Sequence, residues 1–238
     1  MSIISKAFAG HHLSKLELLD LTQTNMTAES FRVMTNTMRG KQNLSTIILD
    51  KNNLGTAYSF TSIAHIIATG HKLKVLSMKG CSLNDMFGVP FSEALKSNKS
   101  LVRFNFYDNE LTSRTLVQLA HAIKETSGSL KEFNLGKNNF NDKGGVKLGE
   151  AIRYNRSISK MNLSDNNFTD ETALAINRNL LDHKMLEEVN LSKNLINLRI
   201  IEILEATCAR IKDLKVRQEP ENQHKIKQDF KQDRKDAR

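Results

Sequence analysis

The side chains able to do acid-base, nucleophilic or metal chemistry in this 238-residue chain are few and scattered. His11 and His12 are adjacent, and His65 and His71 miss the i, i+4 spacing that sets two ligands on one helix face. His121, His183 and His224 stand apart from any cysteine or carboxylate cluster, so surface histidines are the reading for all of them. Cys81 and Cys208 are the two thiols, far apart in sequence. There is no G-x-x-x-x-G-K-S/T phosphate loop, no G-x-S-x-G nucleophile turn and no H-E-x-x-H zinc pair. Nothing in the spacing builds an enzyme site, and no cofactor, metal or small-molecule substrate is expected.

What does recur is a hydrogen-bonding amide. In Leu130 to Phe140, apolar residues fill places one, four, six and eleven, and Asn138 fills place nine. The same frame starts at Leu16, Leu44, Leu73, Leu101, Ile158 and Leu186, in steps of 28 or 29 residues. This is the L-x-x-L-x-L-x-x-N/C-x-L register, in which a short strand points alternate side chains into the core. Between the strands, Met34/Met38, Ile63/Ile67, Phe91/Leu95, Leu119/Ile123, Leu148/Ile152 and Ile176/Leu180 are i, i+4 pairs that predict one helix per repeat, packed on the sheet. Thr27, Ser113, Asp142 and Asp170 suit N-caps, and Gly40, Gly70 and Gly128 suit left-handed C-caps. Gly144 and Gly145 weaken the start of the fifth helix.

A strand-helix repeat of this length resembles the ribonuclease-inhibitor-like subfamily of leucine-rich repeat proteins, over Leu16 to about Ile211. The resemblance implies an α/β fold: a right-handed horseshoe solenoid of about seven repeats, with a parallel concave sheet and convex helices. Helices about 10 Å across are wider than strands about 4.8 Å apart, which forces the curve. It also implies that the place-nine residues, Thr24, Asn52, Cys81, Asn109, Asn138, Asn166 and Asn194, form a buried structural ladder where each strand turns. Residues 1–12 read as an N-terminal cap segment and 13–217 as the repeat domain, closed by a capping helix from Leu198 to Arg217 that sends Ile200, Ile203, Leu204 and Ile211 inward. Residues 218–238 read as a basic polar tail with one apolar pair, Ile226 and Phe230.

Function therefore falls to the faces left open. Places three, five and seven point out of the concave sheet. In the amino-terminal half, Leu18, Ile48 and Val75 are apolar there, with Asp20, Thr46, Asp50, Ser77, Arg103, Asn105 and Tyr107 around them. An exposed apolar cluster ringed by polar groups marks a protein-binding site; the competing reading is that residues 1–8 fold over it. If Ile48 faces solvent, Ile48→Asp leaves folding intact. Further on, Arg103, Glu132, Lys160 and Glu188 at place three, and Asp108, Lys137, Asp165 and Lys193 at place eight, alternate in sign, as a solvated sheet would.

Lysine plus arginine exceed aspartate plus glutamate by 35 − 26 = +9. From Arg210 to Arg238 there are ten basic and six acidic residues, so the tail suits an acidic surface. Two cysteines, no leader at the first residues and no long apolar run predict an intracellular, cytoplasmic protein with no membrane span. The expected function is a non-catalytic protein-interaction module or assembly subunit, in a cytoskeletal or ciliary setting. Relatives of this fold also include Ran GTPase-activating proteins and tropomodulin-like actin regulators, so a regulator of a small GTPase is the alternative. Electrostatic binding of RNA or other acidic surfaces through Lys225 to Arg238 is a third.

Overall fold

The structure, a computed structural model, describes residues 15–38, 43–126, 128–180, 183, 185–210 and 215–217. The expected N-terminal cap at 1–12, the cap glycine Gly40, the apolar Ile211 and the tail at 218–238 lie outside these residues. Among the described residues, eight three-residue strands alternate with seven helices. They run β1 (Leu18–Asp20), α1 (Ala28–Met38), β2 (Thr46–Ile48), α2 (Ala57–Thr69), β3 (Val75–Ser77), then a 3-10 turn (Asp85–Phe87) leading into α3 (Gly88–Ser97). There follow β4 (Arg103–Asn105), α4 (Ser113–Glu125), β5 (Glu132–Asn134), α5 (Asp142–Ile152), β6 (Lys160–Asn162), α6 (Asp170–Leu180), β7 (Glu188–Asn190), α7 (Leu198–Arg210) and β8 (Lys215–Arg217).

The strands form one parallel sheet in sequence order, with place three opposite place three throughout, as in Arg103 beside Glu132 and Glu132 beside Lys160. Each strand returns through a helix to the next strand on the same side, which is the right-handed crossover of a leucine-rich repeat horseshoe. Places four and six turn into the core, and the i, i+4 helix residues meet them there: Leu119, Ile123, Leu148 and Phe104 are fully buried. Aromatic rings tie the middle repeats together. Phe87, Phe91, Phe104 and Phe106 have neighbouring centroids 4.7 to 5.2 Å apart, and Phe104 stacks on Phe133 at 5.5 Å. Such contacts add about 0.5–1.5 kcal/mol per pair beyond area burial.

Several local expectations are corrected. The helix from Leu198 ends at Arg210, and Lys215–Arg217 pairs parallel with β7 as an eighth strand. Val216 sits opposite Val189, the core place of unit seven, so the repeat period outlasts its apolar place one. Ile203 is exposed rather than turned to the preceding unit. Gly70 ends α2 with φ −82°, outside the left-handed region, whereas Gly128 has φ +96°. Thr112 and Asn141, one residue earlier than expected, cap α4 and α5 by accepting from Arg114 N and Lys143 N.

The displaced caps do a different job. Asp142 Oδ1 accepts from Thr169 N at 2.9 Å and Thr172 Oγ1 at 2.6 Å in the next repeat, while its Oδ2 accepts from Thr169 Oγ1. Asp85 holds Thr112 and Thr115 in the same way, Ser113 bonds Asn141, and Asp170 takes Asn197 N at 2.7 Å. Helix starts are thus stapled across repeats by the first helical residue. For Asp85 and Asp142, burial raises the carboxyl pKa, but the threonine hydroxyl bonds outweigh it and hold both below the ordinary value.

Candidate functional site

The strand geometry sorts the concave face into structural and presentable side chains. Place eight is left-handed in every repeat: Gln23, Lys51, Gly80, Asp108, Lys137, Asp165 and Lys193 all have φ between 52° and 62°. That reversal drops the next residue inward. Asn138 Nδ2 donates to the carbonyls of Phe106, Leu135 and Gly136 at 3.0 to 3.1 Å, and its Oδ1 accepts from Leu111 N. Asn52, Asn109, Asn166 and Asn194 make the same kind of bonds, each to its own repeat and the one before. Cys81 takes the place through Sγ to Leu49 O at 3.1 Å, and burial pushes its thiol up to about 12. A thiol held protonated in this way is a poor nucleophile.

A second ladder was not anticipated. Asn105, Asn134, Asn162 and Asn190 at place five turn their Oδ1 back to the N–H two residues on, at 3.0 to 3.1 Å. This is the local side-chain to backbone bond that asparagine favours where a strand ends. Four asparagines at one repeat place were its signal in the sequence. Asn105 therefore supports the backbone rather than greeting a partner, and Ser77 is likewise engaged, donating to Asp50 Oδ1. Asp50 Oδ1 also accepts from Lys79 N at 2.9 Å, so it joins units two and three.

The apolar cluster is corrected too. Ile48 is 1% exposed and Val75 6%, and Thr46 is also buried, so the expected wet patch does not exist at these residues. Of the ten expected contact residues, Leu18 and Asp20 on the first described strand, together with Asp50 and Arg103, keep half-buried or exposed positions, whereas Tyr107 is buried. The cause is general to the face: strands about 4.8 Å apart on the inside of a curve wall each side chain with its neighbours. Place five is buried from Ile48 to Asn190, wherever a strand lies on both sides. The large apolar side chains that are exposed lie elsewhere, among them Tyr58, Met86 and Val89 at the helix starts of units two and three, and Leu195 and Leu198 in unit seven. Leu198 fills the stapling place that Asp142 and Asp170 fill earlier.

What the concave face does present is charge in fixed order. Arg103 Nε lies 2.9 Å from Glu132 Oε2, and Lys160 Nζ lies 3.8 Å from the other oxygen of the same carboxylate. All three side chains remain partly exposed. Beside them, Lys79 Nζ stands 4.8 Å from the ring centre of Tyr107, a cation over an aromatic face. Above the strands, Asp108 and Lys137 pair at 2.7 Å, and with Asp165 and the neighbouring asparagines they line an open polar groove of ≈ 350 Å³.

Among the described residues, no group of three or more histidine, cysteine or carboxylate side chains could hold a metal ion, and no helix is long and apolar enough to cross a membrane. His183 is buried, and among the described residues neither ring nitrogen has a hydrogen-bond partner of good geometry. Burial chiefly, then the charge of Arg156, lowers its pKa.

No family model matches the chain. The ribonuclease inhibitor of Mus musculus is 27% identical over 144 residues, which are 60% of this chain and 32% of that protein. The NACHT, LRR and PYD domains-containing protein 3 of Rattus norvegicus is 26% identical over 122 residues, 51% of this chain and 12% of that protein. The chain thus spans about a third or less of the curated relatives it matches. Among solved structures, leiomodin-1 actin-binding site 2 superposes with a TM-score of 0.54 at 15% identity, covering 74% of this chain and 95% of that one. At that identity the likeness is one of fold.

Proposed function

We propose that this chain, whose strand-helix repeats stack into one parallel sheet as in leucine-rich repeat proteins, is a non-catalytic protein-binding module whose partner is read by the concave strip from Lys79 and Arg103 to Glu188. One observation carries the reading. Arg103 and Lys160 flank Glu132 on an open sheet face, so the strip offers charges of set sign at strand spacing to whatever lies in the curve. Surface pairs of this kind add little stability, roughly 0–1 kcal/mol each. Their value lies in choosing a partner of opposite order and rejecting others. Leu18 and Asp20 extend the strip, while Thr46, Ile48, Val75, Ser77, Asn105 and Tyr107 support it from within.

The test reverses the order while keeping the alternation. In the quintuple variant Arg103→Glu, Glu132→Lys, Lys160→Glu, Glu188→Lys, Lys215→Glu, each charge still sits beside its opposite, so thermal stability is retained. Affinity purification with mass spectrometry from a cell extract then compares the two chains. Loss of the proteins captured by the original chain supports the concave strip; equal capture by both ends the reading. Co-sedimentation with actin filaments checks the cytoskeletal form of the proposal. A GTP hydrolysis assay over a panel of small GTPases separates it from the regulatory alternative, which requires a rate change. The two buried free cysteines suit a reducing, cytoplasmic setting.

A further inference from the structure

We propose that the rim where helices end and strands begin is a second docking surface, one that takes an acidic protein segment, independently of the concave strip. The charge of the molecule is not spread evenly. In units two to five, the connections 68–74, 96–102, 124–131 and 153–159 hold eight cations and one carboxylate, a net +7 out of the chain's +9. On the opposite rim, the connections 49–56, 78–85, 106–114 and 135–143 hold five cations and five carboxylates, a net charge of zero.

Lys72, Lys74, Lys99, Lys131, Arg153 and Arg156 are exposed along the basic rim. The lone carboxylate, Glu125, lies 3.5 Å from Lys96, which also meets Glu93 at 3.1 Å. Favourable helix-dipole placement explains cations in or next to a last helical turn, such as Lys96, Lys124 and Arg153. It does not reach Lys72, Lys74, Lys99, Lys131 or Arg156, which stand beyond the helix ends. These residues line one edge of four successive repeats and so offer anchor points at regular intervals.

The occupant is argued from the same rim. Helices α2 to α5 turn their carbonyl ends toward it, and those negative dipole ends oppose an unbroken phosphate chain but tolerate carboxylates spaced along a polypeptide. Base stacking needs open aromatic faces. Tyr154, an exposed aromatic ring on this rim, already carries Lys124 Nζ 4.5 Å from its centre. A second copy of this chain is a poor fit, because the opposite rim interleaves cations with its acids.

The whole chain is titrated against two dye-labelled probes of matched charge, a peptide of Glu-Gly-Ser repeats and an oligouridylate strand, at several salt concentrations, with anisotropy as the readout. The rim variant is Lys72→Glu, Lys74→Glu, Lys99→Glu, Lys131→Glu. Its control carries the same change in net charge on the opposite rim: Lys51→Glu, Arg114→Glu, Lys143→Glu, Lys193→Glu. Circular dichroism checks that both fold, and if the rim variant does not, the corresponding four glutamine substitutions replace it. The expected result is peptide binding that weakens with salt and falls at least about tenfold further in the rim variant than in the control. Equal losses in both variants would reduce the effect to total charge and overturn the proposal. So would tighter binding of the oligouridylate than of the peptide.

Discussion

The ring of Tyr107 packs against Gly136 in the next repeat: a Cβ added to the glycine would lie 3.0 Å from Tyr107 Cδ2 and 3.0 Å from the carbonyl oxygen of Ser164. The missing side chain is what lets the tyrosine lie buried across the concave strip. Gly136→Val should therefore cost about 1–3 kcal/mol, read as a lower urea midpoint, because the backbone oxygen cannot yield. It should also move the phenol. Burial first, then Asp165 and Asp108, push Tyr107 up to about 12. With its folded pKa above the unfolded value of about 10, the phenol contributes stability that is whole below pH 10 and is lost as pH rises toward 12. Displacing the ring toward water brings its phenolate absorbance transition down, and a variant that titrates unchanged would refute the contact's role.

His183 occupies a corner where other repeats place asparagine. Asn98 and Asn155 each stand three residues before the next place one. Asn155 donates to Ile123 O and Thr126 O and accepts from Ser157 N and Ile158 N. Asn98 does the same to Ile67 O, Ser100 N and Leu101 N. Among the described residues, the imidazole nitrogens make none of these four-way bonds. His183→Asn should raise stability by about 1 kcal/mol. It should also remove a pH dependence. A histidine whose folded pKa lies below its unfolded 6.5 binds its proton first in the unfolded chain, so stability is full above 6.5 and falls as pH drops toward the folded value. Urea midpoints measured across that range should slope for the original chain and flatten for the variant.

The legibility of this molecule divides by where the information lies. Leu130, Phe133, Leu135 and Asn138 announce strand, core and turn because one period imposes the same job on each repeat. The exposure of Ile48 was not readable, since alternation says which face a residue takes, not how closely neighbouring strands wall it in. Asp142 looked like a helix cap because its type suits one. Its bonds to Thr169 and Thr172 depend on a residue in the following repeat, a pairing visible only once the repeats are stacked. The eighth strand was hidden because its place one is Asp213, so the leucine that starts each earlier unit is absent.

That burial changes what Ile48→Asp will do. A carboxylate at a position 1% exposed, between Asp20 and Ser77, must give up its water and face another acid on the adjacent strand. The cost should be at least about 2 kcal/mol and appear as a lower melting temperature. Leu18→Asp, on the same face with a half-buried side chain, should cost clearly less. If the two variants melt together at the original temperature, the wall of neighbours described for this face is wrong.

Gly145 offers the sharpest sign test. In an ordinary helix, replacing glycine by alanine stabilises by about 1 kcal/mol, because alanine has the better intrinsic propensity. Here the added methyl would sit 2.1 Å from Thr172 Oγ1 and 2.6 Å from Thr172 Cγ2, so α5 and α6 would have to part. That threonine is the hydroxyl that donates to Asp142 at 2.6 Å, so the displacement also loosens the staple between the repeats. Gly145→Ala should therefore destabilise by about 1–3 kcal/mol despite its propensity gain. Asp142→Ala should add less to that damage than it costs alone, because the two changes disturb one contact, and non-additivity of this kind marks residues that share a partner. Chemical denaturation of the two single variants and the double variant measures both effects. A stabilised Gly145→Ala, or a strictly additive pair, would show that the helices are not held as closely as their glycines permit.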